Sequence, residues 1–164
     1  MNLKILITLT SLFFSSLYAA GSSSSSSSSS NESAPSTNES ASKPNHLKEY
    51  KMAINLIRKK EYKSAIRNLK MLVPVVSKDF SRADVFNEIG FAYRKSDDFD
   101  NAAKYYKKAL DLDPEHLGAI EYQGEMYVDL GQKENALNNL GLLKKLVGEN
   151  NSYYKELNNY ILNN

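Results

Sequence analysis

From His46 onward the apolar residues recur with a helical period. Phe86, Ile89, Gly90 and Tyr93 fall at i, i+3, i+4 and i+7 and so share one face of a helix. A second set, Phe99, Ala102, Tyr106, Ala109 and Leu110, keeps the same period. Between them lies Ser96-Asp97-Asp98, a polar turn whose short side chains cap helix ends. No run of alternating β-branched residues competes with this pattern, so it predicts a hairpin of two helices. Asp113-Pro114 closes the unit, with the proline placed to open the next helix. The pattern then returns: Gly124, Tyr127 and Ala136 follow Gly90, Tyr93 and Ala102, each by 34 residues. Gly90 and Ala102 are small where the two helices of a hairpin cross closely, and Tyr93 and Tyr106 fill the space around the crossing. One hairpin alone would leave its outer face bare, so the pattern predicts a stack.

The motif Phe86-x-x-Ile89-Gly90-x-x-Tyr93, followed by Ala102, Tyr106, Ala109 and Pro114, resembles the tetratricopeptide repeat. A third unit keeps Ile120, Gly124, Tyr127, Ala136, Leu140 and Leu143, but has Gln123 at a usually apolar slot and Gly148 where proline is usual. The first unit is degenerate. Met52, Ala53, Leu56, Ala65, Leu69 and Leu72 fit, Glu49 stands in the bulky aromatic slot, and Ala102 follows Ala65 by 37 residues, as a three-residue insertion near Asp79 to Ser81 would produce. Tyr153, Leu157, Tyr160 and Ile161, after a Ser152 cap, form one face of a closing helix. The resemblance implies an all-α, right-handed α-solenoid over 46–164, with repeats at about 46–79, 83–116 and 117–150 and a capping helix at about 152–162.

The N-terminal part reads differently. Lys4 leads into an apolar stretch, Ile5 to Leu17, that ends in Ala19-Ala20-Gly21, the layout of a secretory signal peptide over 1–21. The stretch contains several Ser and Thr residues and is shorter than the roughly 20 residues of a membrane span, so an uncleaved anchor is the alternative reading. Cutting after Gly21 gives a small-x-small site, whereas cutting after Ala20 leaves Tyr18 three residues from the cut. Residues 22–45 hold unbroken serine from Ser22 to Ser30 and then polar residues up to Pro44. Such a composition cannot form a core, and it predicts a disordered tether with a reach of roughly 25 to 30 Å.

Charge and composition remove several functions. Formal charge is +2, with 21 basic and 19 acidic side chains interleaved, so no strong field draws nucleic acid or an anionic membrane. The absence of cysteine excludes disulfides, thiolate metal sites and a cysteine nucleophile. His46 and His116 have no carboxylate or serine partner implied by helical spacing, which argues against a catalytic triad or a zinc site. Asp97-Asp98-Phe99-Asp100 lacks the glycine and distal glutamate of a calcium loop. Gly124 and Gly131 serve helix packing and termination, with no phosphate-loop pattern nearby. Of the tyrosine pairs Tyr105-Tyr106 and Tyr153-Tyr154, one member of each belongs to the core by period. No enzyme activity, cofactor or metal is expected.

In tetratricopeptide proteins the first helix of each hairpin lines a concave face that receives ligands. The resemblance therefore places a peptide-binding groove on Tyr50, Ile54, Ile57 and Arg58, then on Asn87, Phe91, Arg94 and Lys95, then on Glu121, Glu125, Val128 and Asp129. That face runs from apolar to basic to acidic. Ile54 and Phe91, as large apolar side chains outside the packing set, suggest a contact surface. The family's carboxylate clamp for chaperone C-termini is not reproduced, because its slots hold Tyr50, Ile54, Glu88, Gly118 and Tyr122. The expectation is a non-enzymatic scaffold of the cell envelope or secretory space that binds a protein or peptide segment. The alternative is a signal-anchored subunit of an envelope or secretion assembly.

Overall fold

The computed structural model describes residues 45–164. The expected signal peptide, and the serine-rich tether up to Pro44, lie outside the described residues. The described chain is seven helices: α1 (His46–Arg58), α2 (Tyr62–Leu72), α3 (Arg82–Arg94), α4 (Phe99–Leu112), α5 (Leu117–Asp129), α6 (Lys133–Val147) and α7 (Ser152–Asn163). Among the described residues there is no strand. Helices α1–α2, α3–α4 and α5–α6 pair as hairpins, each hairpin packs on the next, and α7 closes the stack against α5 and α6. This is an all-α solenoid of three hairpins and a closing helix.

The three hairpin turns share one backbone geometry. Lys60, Asp97 and Gly131 each take a left-handed conformation, with φ of 62°, 62° and 69°. In each turn the amide one residue later donates to a carbonyl five residues back: Glu61 to Leu56, Asp98 to Tyr93 and Gln132 to Tyr127. Only the third turn uses glycine, the residue that adopts this conformation without steric cost.

Local capping explains most helix starts. Ser81 and Asp84 form a capping box on α3, with Ser81 N–H donating to Asp84 and Asp84 N–H donating to Ser81. Asp98 caps α4 by accepting from Asn101 N–H. Asn151, one residue before the expected Ser152, caps α7 through Tyr153 N–H. Pro114 sits in the connecting turn, ahead of the cap residue His116, so it precedes α5 without opening it. The connection from α2 to α3, residues 73–81, is longer than the four-residue connections that follow α4 and α6. It is tied down by Arg82 Nε donating to Val73 O and by the burial of Phe80.

The core follows the helical faces. Ala53, Ile57, Leu69, Val85 and Ile89 form its N-terminal part, Ala102, Tyr106 and Met126 its middle, and Ile120, Ala136, Leu143, Leu157 and Ile161 its C-terminal part. Gly90 is small because the Tyr106 ring lies on it: a Cβ there would come within 2.8 Å of the ring. Gly124 is small for a different neighbour, since its Cβ would meet Leu157 of α7 at 2.6 Å. Met52 and Tyr153, expected on packed faces, are exposed, and Tyr154 packs in place of Tyr153.

Candidate functional site

The first helices of the hairpins form an inner layer in which α3 packs on α5 and α5 on α7. At its N-terminal end, Tyr50 stacks on Phe80 with centroids 4.7 Å apart and planes 10° from parallel. Phe91 of α3 tilts against Tyr122 of α5 at 4.6 Å. Tyr50, Phe91 and Tyr122 are each half-buried. Ile54 and Phe91 are not outside the packing set as the sequence suggested. Both rest partly on the N-terminal core, so the contact surface they offer is one edge of a packed side chain.

Arg94 is the largest departure from an open groove. Its side chain is 1 % exposed and joins three helices. Nη1 donates to Glu125 and Nε donates to Asp129 at 2.6 Å. Its guanidinium lies 5.1 Å from the ring centroid of Tyr160 on α7, whose hydroxyl donates to the second Asp129 oxygen at 2.6 Å. Burial opposes the charge of Arg94, but the hydrogen bond to Asp129 and the charges of Glu125 and Asp129 outweigh it, so the guanidinium stays protonated.

Around Tyr122 the inner face is acidic. Burial first, and the neighbouring Asp84 second, push the Glu88 carboxyl up to about 7. Burial, then Glu125 and Glu156, push Glu121 up to about 9. The residue Glu121 is 1 % exposed, and its Oε1 has no hydrogen-bond partner within the protein. Asn87 Oδ1 and the Tyr106 hydroxyl are likewise buried without a partner.

These carboxyls set a pH dependence. A carboxyl raised above its ordinary 4.5 holds more protons in the folded than in the unfolded state between those two values. Its contribution is therefore full below about pH 4.5 and is lost as pH rises through the folded value. Each such group can cost at most about 1.4 kcal/mol per pH unit in that window. The thermal midpoint should fall from pH 5 to pH 9, and Glu121→Gln should flatten the part between pH 7 and 9. Melting curves by circular dichroism at pH 5, 7 and 9 check this; a midpoint constant or rising across that range would contradict it.

The structure divides the sequence-predicted residues. Arg94, Lys95, Val128 and Asp129 come together, with Asp97, Phe99, Tyr160 and Asn164, around a cleft of about 530 Å³ where α3, α5 and α7 end. Arg58 and Lys95 are exposed, and Tyr50, Ile54, Phe91, Glu125 and Val128 are half-buried on the inner layer. Ile57 belongs to the core and lines no groove, while Asn87, Arg94 and Glu121 are 3 %, 2 % and 1 % exposed and lie beneath the surface. Period gives a side chain's direction but not the depth to which the next hairpin covers it. Glu88 shares a helical face with Phe91 and Lys95, and Tyr122 with Glu125 and Asp129, so periodicity could have put both in the site. Phe80, in a connection without period, gave no such signal.

Both histidines have carboxylate partners, contrary to the sequence reading. His46 Nδ1 lies 3.0 Å from Glu49, one helical turn on. His116 Nδ1 accepts from Ala119 N–H, which leaves Nε2–H to donate to Asp84 at 3.1 Å. This neutral imidazole acts as the α5 cap and pins α5 to the start of α3. Among the described residues, no group of three or more His, Asp and Glu side chains could hold a metal ion.

The tetratricopeptide repeat family matches residues 83–116, the α3–α4 hairpin with its following turn. No curated protein matches the chain. Among solved structures, it is similar to the Yersinia enterocolitica type III secretion chaperone SycD in complex with a peptide of the translocator YopD. The TM-score is 0.60 at 20% identity, over 77% of this chain and 92% of that one. A second SycD structure, an alternative dimer, gives a TM-score of 0.59 at 19% identity over 71% and 86%. PcrH in complex with the chaperone binding region of PopB gives 0.58 at 13% over 78% and 97%. At these identities the similarity speaks for the fold. Residues 83–116 match a tetratricopeptide repeat, and the left-handed turn of that hairpin recurs in the hairpins on either side of it.

Proposed function

We propose that this chain is a non-enzymatic adaptor that binds a protein or peptide segment on the inner face of its solenoid, and that it works in the envelope or secretory space. One observation carries the reading. The inner face offers aromatic edges, Tyr50, Phe91 and Tyr122, beside the half-buried carboxyls of Glu88 and Glu125. Apolar anchors beside polar groups together suit an extended segment, which brings both kinds of side chain. SycD and PcrH, solved with a translocator peptide and a chaperone binding region, support such use of this fold. Export rests on the layout of residues 1–21. Among the described residues no helix is long and apolar enough to cross a membrane.

Photo-cross-linking in the native cell tests the groove. A cross-linker at the exposed Arg58 or Lys95 on the inner layer should trap a partner that one at the exposed Lys107, on the outer helix α4, does not. Equal trapping at all three positions would move binding off the groove. N-terminal sequencing of the protein from fractionated cells tests export. A start near Ser22 supports the released adaptor, and an intact Met1 in the membrane fraction supports the anchored subunit.

A further inference from the structure

We propose that the inner face takes a cationic side chain, lysine or arginine, from the bound segment, held against Glu88 and the neighbouring acids around Tyr122. The inference rests on the reading that a segment occupies the groove, and it adds the chemistry by which that segment is recognised.

Burial first, and then the charges of Glu121, Glu88, Glu125 and Glu156 on α3, α5 and α7, raise the Tyr122 hydroxyl above its ordinary value. Glu125 is taken by Arg94. Asp84, on the other side of Glu88, accepts a hydrogen bond from His116. Among the described residues, Glu88, Glu121 and Glu156 have no cation within ion-pair distance. Arg58 acts on Glu88 from beyond that distance.

A second observation comes from beneath the acids and is independent of them. Tyr106 arises on α4, crosses Gly90 and is wholly buried, yet its hydroxyl has no partner and lies in the field of Arg94, Glu125, Glu88 and Tyr122. Buried hydroxyls ordinarily find a partner. Glu121 Oε1 and Asn87 Oδ1 are also buried without a partner, so three oxygens on this side of the inner layer lack a hydrogen bond from the folded chain. An ammonium or guanidinium group carries three to five donors and no acceptor, which is the complement required. The Phe91–Tyr122 pair supplies an aromatic wall for its stem. Glu88 and Glu121 are held up to about 7 and about 9, so an arriving cation should drive protons off them.

The test uses the full chain and a displayed library of random 12-residue peptides. Selected peptides should carry Lys or Arg at one position beside apolar residues. Replacing that residue with norleucine should weaken binding by roughly tenfold or more in the native protein, the range for a hydrogen bond to a charged group. The same replacement should matter less than about twofold in a protein carrying Glu88→Gln and Glu121→Gln, whose isosteric amides keep the fold, as a melting curve verifies. Calorimetry at pH 7 in two buffers of different ionisation heat should show proton release with the basic peptide and none with its norleucine copy. Groove-binding peptides without a basic preference, or an equal norleucine loss in both proteins, would overturn the inference and leave the groove reading standing. Peptides that do not compete with cross-linking at Arg58 and Lys95, or no selected peptide at all, would remove both.

Discussion

Replacing Arg94 with alanine should destabilise the domain by about 3–5 kcal/mol and loosen α7 before the rest. The magnitude is that of removing one partner of a buried ion pair, which leaves the other charge without compensation. Here the abandoned groups are Glu125 and Asp129, and the loss propagates because the Tyr160 hydroxyl shares Asp129 while its ring carries the guanidinium. The remaining hold on α7 is apolar, Leu157 over Gly124 and Ile161 in the same cluster. Against a typical total stability of about 5–15 kcal/mol, such a loss is large. Arg94→Lys should also be costly, because an ammonium on a flexible stem cannot reproduce the fork that reaches two carboxylates from one planar group. Urea denaturation gives the total, and hydrogen exchange gives the order, with α7 amides opening first. A loss under about 1 kcal/mol with unchanged exchange in α7 would show that the network only decorates a helix held by its apolar contacts.

The hairpins were legible because their constraints are local and periodic. Gly90, Tyr93, Ala102 and Tyr106 report a crossing that the structure reproduces, and the polar turn before Phe99 takes the left-handed backbone seen again at Gly131. The inner face was less legible. Arg94 and Glu121 point toward it by period, but the packing of α5 on α3 and of α7 on α5 submerges them. The role of α7 was hidden for a similar reason. Its apolar residues announce a closing helix, yet nothing in their spacing says that Leu157 fills the notch at Gly124. That follows from the pairing across repeats. Gly90 faces Tyr106, but 34 residues later Gly124 has Leu140 at the tyrosine position, and the space so left admits a side chain from α7.

The same comparison yields the other large expected effect. Tyr106→Ala should cost about 3–5 kcal/mol, since it empties the space of a wholly buried ring at the centre of the stack. Tyr106→Phe should change stability by less than about 1 kcal/mol, in either direction, because the hydroxyl it removes has no partner to lose. The contrast separates ring from hydroxyl, and guanidinium denaturation midpoints measure it. Gly90→Ala places a Cβ 2.8 Å from the ring and should destabilise on its own. The first hairpin shows the alternative solution: Ala53 stands in the Gly90 slot and Leu69 in the Tyr106 slot, and both are wholly buried. Gly90→Ala combined with Tyr106→Leu should therefore lose less than the sum of the two single changes, because leucine withdraws the atoms that the new methyl meets. Additive losses would mean that Gly90 is needed for its backbone and not for the ring above it.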